Sequence, residues 1–583
     1  MSHYHPPIKE MNFLMSEVFD LTTEWSAMPV YADTNLDLAN AILEEGGKLF
    51  TSTWEPLNRS GDEEGCHLES EQVITPAGFR EAWSTMSEGG WLSLTGEPEH
   101  GGQGVPKALS VLFEEMQYAT NASLALYSVL TVGAALTLNQ HANSTIKSLY
   151  LPMLYDGRCA GTMCLTEPQA GSDLGVLTTR AEPVDAQEYR LNGSKIFITG
   201  GDHDLTENIL HLVLARLPDA PVGSKGISLF LVPKFCVDAN GEPIERNGVS
   251  CGSIEAKMGI KGSATAVLNF DDAKGFLVGE PNQGLKYMFT MMNYERLSIG
   301  VQGIGQAEWS MQQAQHYAFE RTQGRSINPG FQSGNFSDPI ISHADVRRML
   351  LTQSAWIEPG RALAVYLGTQ LDRSRHHPDA EVRSAAEVRA ALLTPVAKAF
   401  FSDRGLECTV LGQQVFGGHG YIREWGLEQA VRDVRIAQIY EGTNGIQAMD
   451  FMVRKVLRDD GENLIRFFDE IRRDIDQLPD ELAVCGLDLN TVMDRVCSLV
   501  RKWATLPSHS DVPGMQAYNL LELTALISYG WLWLKMAKCD PESELQKSQK
   551  ATFFFNWLWP ISHTLLKRAE CPSGTFHFPV PVN

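Results

Sequence analysis

One acidic residue stands where acid–base chemistry could be done. In Ile439-Tyr-Glu-Gly-Thr443, Glu441 follows an apolar run (Ile436, Ala437, Ile439, Tyr440) and precedes Gly442-Thr-Asn-Gly445. A carboxylate beside apolar groups is costly to ionise, so its pKa rises toward that of a general base. Gly442 and Gly445 let the backbone turn sharply or approach a ligand closely. Taken alone, the same stretch is also an ordinary helix end, with Gly and Asn as stop residues and Glu441 a solvated acid. A second carboxylate competes for the role. Glu295, in Tyr294-Glu-Arg296, shares a helical face with Met288, Met291 and Met292. That stripe suits either plain core or the wall of an apolar tunnel.

The elements that must position these groups fall into blocks. The expected fold class is α+β, mainly α. Residues 1–35 form a leader whose apolar patch (Met11, Phe13, Leu14, Val18, Phe19, Leu21) can pack on the main body. From 36 to 157 apolar residues recur at three- and four-residue spacing, as in Leu109 to Met116, which predicts an N-terminal helical domain. Gly101-Gly-Gln-Gly104 matches no phosphate-loop spacing and reads as a turn between helices. Between 158 and 278 short β-rich runs, such as Lys195–Thr199, Ile209–Ala215, Ile227–Val232 and Ala266–Phe270, predict a middle antiparallel β domain or small barrel. Long helical patterns return over 279–457, consistent with a four-helix bundle that carries Glu441. An additional C-terminal helical domain spans 458–583, with helices over Glu462–Leu478, Thr491–Leu506, Met515–Ala537 and Glu542–Ala569 and a Pro-rich, non-helical tail from Cys571.

Composition excludes several classes. The 583 residues are 43% hydrophobic and 20% charged, which is globular, and the net charge of -23 disfavours nucleic acid or an anionic membrane as main partner. Ten scattered cysteines show no CxxC pair and no spacing suited to zinc, so no metal site is expected; reduced thiols point to the cytoplasm. Asn-x-Ser/Thr matches such as those at Asn121, Asn143 and Asn192 lack a secretory signal and read as chance. The longest apolar run, Leu520 to Leu534, contains Glu522 and falls short of the ~20 residues that span a bilayer, so a soluble protein is expected.

Motifs stand at each junction of these blocks: Met163-Cys-Leu-Thr-Glu-Pro-Gln-Ala-Gly-Ser-Asp173, Gly193-Ser-Lys-Ile-Phe-Ile-Thr-Gly-Gly201, Met291-Met-Asn-Tyr-Glu-Arg-Leu297, Gly417-Gly-His-Gly-Tyr421 and Ile439-Tyr-Glu-Gly-Thr443. In this order and spacing the chain, over about 40–457, resembles the acyl-CoA dehydrogenase family of flavoproteins. The resemblance implies FAD between the β domain and the bundle, with an acyl-CoA on the other face of the flavin. By position, Met163, Leu165 and Thr166 would meet the isoalloxazine, with Phe197 and Thr199 on its other side. Ser172 would lie near the pantetheine and the flavin, although it also reads as a turn cap. Arg321 would reach the FAD pyrophosphate; the following Thr322-Gln-Gly324 departs from the family's Arg-x-x-Phe-Gly. Gln414, Gly417 and Gly418 match a segment that closes over the FAD of a neighbouring chain, and Thr443 a threonine on the same cofactor. Such sharing implies at least a dimer, and the likeness to a longer bacterial branch, carried by the extra C-terminal helices, makes a homodimer the expectation.

The resemblance also implies a role for each acid. Glu441, in its intact Tyr-Glu-Gly-Thr setting, would remove the α-proton of the thioester, with Gly442 helping the backbone turn toward the carbonyl. The β-hydrogen then leaves as hydride to the flavin, giving a trans-2-enoyl-CoA, and electrons pass to an electron transfer flavoprotein. Glu295 stands where a minority of members carry the base and otherwise reads as a partner of Arg296 or a polar group near the flavin; Arg296 matches an arginine that contacts the CoA. The leader, the extra C-terminal helices and Glu424-Trp-Gly426 resemble a longer bacterial branch, in which those helices occupy space that a second dimer fills in shorter members. The expected activity is β-oxidation of a medium- to long-chain fatty acyl-CoA. The alternatives are 3-methylmercaptopropionyl-CoA dehydrogenation, an oxidase or monooxygenase on the same scaffold, and a non-catalytic acyl-CoA-binding scaffold.

Overall fold

The computed structural model describes residues 3–185, 187–507, 510–542 and 544–571. Two short leader helices, α1 (Ile8–Phe13) and α2 (Leu21–Ser26), bury Met11, Leu14, Val18 and Leu21 against the main core. The helical block follows as α3 (Leu36–Leu49), α4 (Glu55–Glu64), α5 (Phe79–Glu88), α6 (Lys107–His141) and α7 (Ser144–Tyr155). A hairpin, β1 (His67–Glu69) with β2 (Gln72–Ile74), interrupts it. The Gly101–Gly104 stretch is a turn, as expected, with Gly101 at φ 93° and Gly104 at φ 65°. α6 kinks at Asn121 (φ −158°), whose side chain caps the second half through Leu124 N–H at 3.1 Å. Among the described residues α6 alone is long and apolar enough to cross a bilayer, but 89% of its most apolar window is buried as core.

The β domain comprises β3 (Cys159–Cys164), β4 (Arg180–Pro183), β5 (Glu188–Thr199), β6 (Asn208–Arg216), β7 (Ile227–Pro233), β8 (Phe235–Val237), β9 (Pro243–Arg246), β10 (Val249–Ile254) and β11 (Thr265–Leu277). β11, β5, β4, β6 and β7 pair in a closed ring, with β10 beside β11 and β3 beside β6. Pairing is mainly antiparallel, but β3 runs parallel to β6, Met163 opposite Leu212, which corrects the all-antiparallel expectation. The parallel pair arises because a long crossover, 165–207, returns the chain to the edge of β3. Alternation along β6 sends Leu210, Leu212 and Leu214 toward α6 and α7, while Val213 and Ala215 face the barrel interior.

The bundle is built on α8 (Gly284–Glu320), α9 (Ala344–His376) and α10 (Ala380–Val415), each longer than 30 residues. Its fourth stretch is broken into α11 (Leu427–Arg435) and α12 (Asn444–Met449), with irregular turns around them. The bundle packs on α6 through a buried triad: Arg361 of α9 bonds Glu115 of α6 at 2.5 Å and Glu308 of α8 at 2.7 Å. The C-terminal block contains α13 (Glu462–Ile475), α14 (Asp480–Ala504), α15 (Val512–Cys539), α16 (Lys547–Phe553) and α17 (Ile561–Ala569). The expected continuous helix over Glu542–Ala569 is split, because Pro560 has no N–H to continue the ladder. The tail beyond Cys571 lies outside the described residues.

Candidate active site

Glu441 sits in a turn between two helices. A 3-10 turn, Ile436–Gln438, extends α11, and Thr443 caps α12 by accepting from Ile446 N–H at 3.3 Å. Between them Glu441 adopts φ 56° and Gly442 φ 82°. Left-handed backbone is disfavoured for a residue with a side chain, so the turn must be held from outside. Gln447 Nε2 donates to the Glu441 carbonyl at 2.8 Å, and Lys398 Nζ to the Gly442 carbonyl at 2.8 Å. The turn projects the Glu441 side chain into the wall of a cavity of about 580 Å³.

The opposite wall comes from the β domain. Met163 at the end of β3, then Leu165, Thr166 and Ser172, line it together with Phe197, Ile198 and Thr199 of β5. Two motifs meet here for a physical reason. Glu167 and Lys195 form an ion pair at 2.8 Å, both under 3% exposed, and Lys195 Nζ also bonds the Leu165 carbonyl at 3.0 Å. Burial raises the Glu167 pKa, but Lys195 and the Thr178 and Thr179 donors outweigh it and hold Glu167 at about 2. The pair pins Leu165–Thr166 beside Phe197, where Thr166 also accepts from Ile196 N–H at 2.9 Å. Phe197 has φ 59° and is 59% exposed, a large ring left open toward the cavity. Ile260, a third lining residue, has φ 45°. Three strained backbones on one cavity single it out as the candidate site. Ser172 is exposed, and the cap of its turn is Asp173, which accepts from Gly175 N–H at 2.8 Å.

The two acids differ in surroundings. Burial pushes the Glu441 pKa up and the Arg296 and Lys398 charges draw it back, leaving it at about 6. Glu295 is 1% exposed, and its Oε1 has no hydrogen-bond partner. Burial, then the charges of Glu441 and Glu114, push it well above the usual carboxylate range. It points at α6, where a Cβ on Gly133 would lie 2.4 Å from Glu295 Oε1. Beyond it stands a buried cluster: Lys107 pairs with Glu114, which accepts from the Tyr294 hydroxyl at 2.8 Å. No ion pair joins Glu295 to Arg296 among the described residues. Adjacent helical positions point about 100° apart, and Arg296 instead feels Asp450 and Glu441.

Glu441, Gly442, Thr443, Met163, Leu165, Thr166, Ser172, Phe197 and Thr199 are thus brought together. Arg321, Gln414, Gly417 and Gly418 are not. They are exposed at the C-terminal ends of α8 and α10, where Tyr317 stacks on Phe416 (centroids 4.1 Å apart) and bonds His419 at 2.8 Å. Sequence reasoning missed Lys398, Asn444 and Gln447 beneath the turn, and Glu255, Lys257 and Ile260 in the wall. An open aromatic face, two hydroxyls and an unstacked apolar floor fit a planar ring system with polar edges, as FAD carries.

Comparison with known proteins agrees with this geometry. Family models described as acyl-CoA dehydrogenase N-terminal, middle and C-terminal domains match residues 66–158, 162–273 and 282–456. The 3-methylmercaptopropionyl-CoA dehydrogenase of Ruegeria pomeroyi is 41% identical, the match covering 94% of this chain and 93% of that protein. A broad-specificity linear acyl-CoA dehydrogenase of Mycobacterium tuberculosis, FadE5, is 32% identical over 92% of this chain and 90% of its own length. An acyl-CoA dehydrogenase from Bacillus anthracis, solved with FAD, superposes with a TM-score of 0.73 at 22% identity, covering 96% of this chain and 90% of that one. The chain therefore belongs to the acyl-CoA dehydrogenase family, as an oxidoreductase whose cofactor is FAD.

Proposed function

We propose that this chain desaturates a short acyl-CoA at Cα–Cβ to the trans-2-enoyl-CoA, with Glu441 as the base. The observation that carries the reading is the Glu441 turn: a carboxylate with pKa about 6, held at positive φ across a cavity from Phe197, Thr166 and Thr199. Met163, Leu165, Thr166, Phe197 and Thr199 would hold the flavin, with Thr443 beside it. FAD, when bound, supplies the two-electron oxidation. Glu441 takes the α-proton onto its carboxylate; that proton is only weakly acidic, so its removal needs a desolvated base and a polarised thioester carbonyl. In this reading the Gly442 turn orients the Glu441 backbone toward the thioester carbonyl, exposed Ser172 on the cavity wall would meet the CoA arm, and Arg296 would serve from beneath the turn as a counter-charge to Glu441.

The inner end of the site supports a short chain. Glu295 closes the space between Glu441 and α6, and the Lys107–Glu114–Tyr294 cluster lies behind it. A long alkyl tail threaded there would strip partners from buried charges, at a cost of about 3–5 kcal/mol each. Met288 and Met291 are fully buried core, so neither lines an open tunnel. The 41% identical relative, named for the 3-methylmercaptopropionyl group, makes that thioester the first to test. The second reading, a medium- or long-chain fatty acyl-CoA, is favoured by the FadE5 likeness and the pliability of methionine.

Electron transfer flavoprotein is the proposed acceptor and β-oxidation the setting. A cytoplasmic location is supported by ten free cysteines. The test is kcat/KM for 3-methylthiopropionyl-CoA and for butyryl- to stearoyl-CoA, with electron transfer flavoprotein or dioxygen. Expected is a maximum at the short substrates and a fall of roughly tenfold or more by palmitoyl-CoA. A maximum at palmitoyl-CoA would sink the short-chain reading, and stoichiometric peroxide would place the chain among oxidases.

A further inference from the structure

We propose that α15, in the C-terminal block outside the family-matched segments, is a positioning element for the base-bearing turn, acting through Tyr518 and Asp403. The inference rests on the reading of Glu441 as base. The Tyr518 hydroxyl donates to Asp403 Oδ2 on α10. The other oxygen of Asp403 accepts from Gln438 Nε2 at 2.6 Å and from Asn444 Nδ2 at 2.8 Å. Gln438 ends the 3-10 turn just before Glu441, and Asn444 opens the helix just after it. Asp403 therefore clamps both flanks of the segment 439–443.

Lys398 completes the suspension from the same helix. Its Nζ, on a fully buried side chain, donates to the Gly442 carbonyl at 2.8 Å and to Asn444 Oδ1 at 2.9 Å. Tyr518 is thus the one group in this network supplied from outside the family-matched region. Without its O–H, Asp403 loses a donor and its charge becomes available to Lys398, which already feels it. Lys398 would then shift away from Gly442 and from Glu441. Displacing a base by a fraction of an ångström costs catalysis before it costs folding.

The charges around the base set the second readout. Glu441 faces Arg296 and Glu295 from α8, Lys398 from α10 and the adjacent Tyr440 phenol; Lys398 faces Glu441, Asp403 and Arg296. Drawing Lys398 toward Asp403 removes positive charge from Glu441. Glu441 then holds its proton more tightly, so the acid limb of kcat moves to higher pH.

The test uses the full FAD-loaded chain. Tyr518→Phe should lower kcat roughly tenfold with KM within about twofold, and move the acid limb up. Asp403→Asn removes the clamp and its charge together: it should lower kcat likewise but, with no charge to draw Lys398 off Glu441, should not move the acid limb up, and the double variant should lose no more kcat than the worse single. Trp531→Phe removes a different α15 bond, from Trp531 Nε1 to Asp474 at 2.8 Å, with no path to the turn; it should keep the parent kcat and pH profile. Parent-like behaviour of Tyr518→Phe or of Asp403→Asn, or the same changes in Trp531→Phe, would overturn the inference. Glu441→Gln, run alongside, separates the two levels. If it is silent and Tyr518→Phe is parent-like, only the role of α15 fails; if it still turns over, the base assignment falls and takes this inference with it.

Discussion

Opposing influences act on Glu441, the proposed base. Burial alone would make the carboxyl hard to ionise, and Arg296 and Lys398 recover enough to leave it at about 6. Only the carboxylate accepts a proton. As pH falls through about 6 the protonated, inactive form fills, so kcat/KM should drop roughly tenfold per pH unit well below that point and level off above it. A profile of kcat/KM against pH checks this; a flat profile through pH 5 would contradict it. Glu295 is pushed further in the same direction, because burial and the charges of Glu441 and Glu114 outweigh Lys107, which suits a neutral polar wall rather than a base. Glu441, Phe197, Thr166 and Thr199 were legible because each sits in a motif whose spacing carries chemistry. Lys398 left one signal, a lone charge in the apolar run Leu392–Phe401. That run also fits a lysine whose stem lies along apolar surface while its charge reaches water. Glu255, Lys257 and Ile260 left none, since tertiary folding alone carries that loop to the cavity.

At the scale of elements, periodicity found the long helices, and it placed the strands Ile209–Ala215 and Ile227–Val232 to within two residues. It failed where local and tertiary preferences part. The β1–β2 hairpin is only three residues a side, too short to show alternation. β3 joins the sheet in parallel, and strand direction is a property of the crossover rather than of its own residues. α14 begins at Asp480, eleven residues before the expected start, because its first turns are half solvated and show little apolar stripe. Asn121, which reads as an ordinary helix residue, breaks α6 because its side chain caps the second half and bonds the Trp54 carbonyl at 3.2 Å. The Arg361 triad was likewise invisible, since its partners lie 246 and 53 residues away. Yet the site depends on these elements: α10 suspends the base-bearing turn, and β3 with β5 carries the facing wall.

At the scale of the molecule, the exposed group at the C-terminal ends of α8 and α10 is the feature a single copy leaves unused. Arg321, Gln414, Gly417 and Gly418 lie outside the cavity of their own chain, with Tyr421 82% exposed beside them. We propose that they complete the FAD site of a second copy. Sedimentation should then report twice the 64.5 kDa chain mass in the FAD-loaded protein, and a monomer would contradict it. The net charge of -23 places no bar on a local contact of this kind. All these scales converge on one turn, and its chemistry has a direct test. Purified, FAD-loaded Glu441→Gln keeps the shape of the side chain and removes only its basicity. The predicted result is a yellow, folded protein whose kcat on its best acyl-CoA falls by a factor of about 10³ or more, while Glu295→Gln keeps appreciable rate. Substantial turnover by Glu441→Gln, or an equal loss in Glu295→Gln, would contradict the assignment of the base.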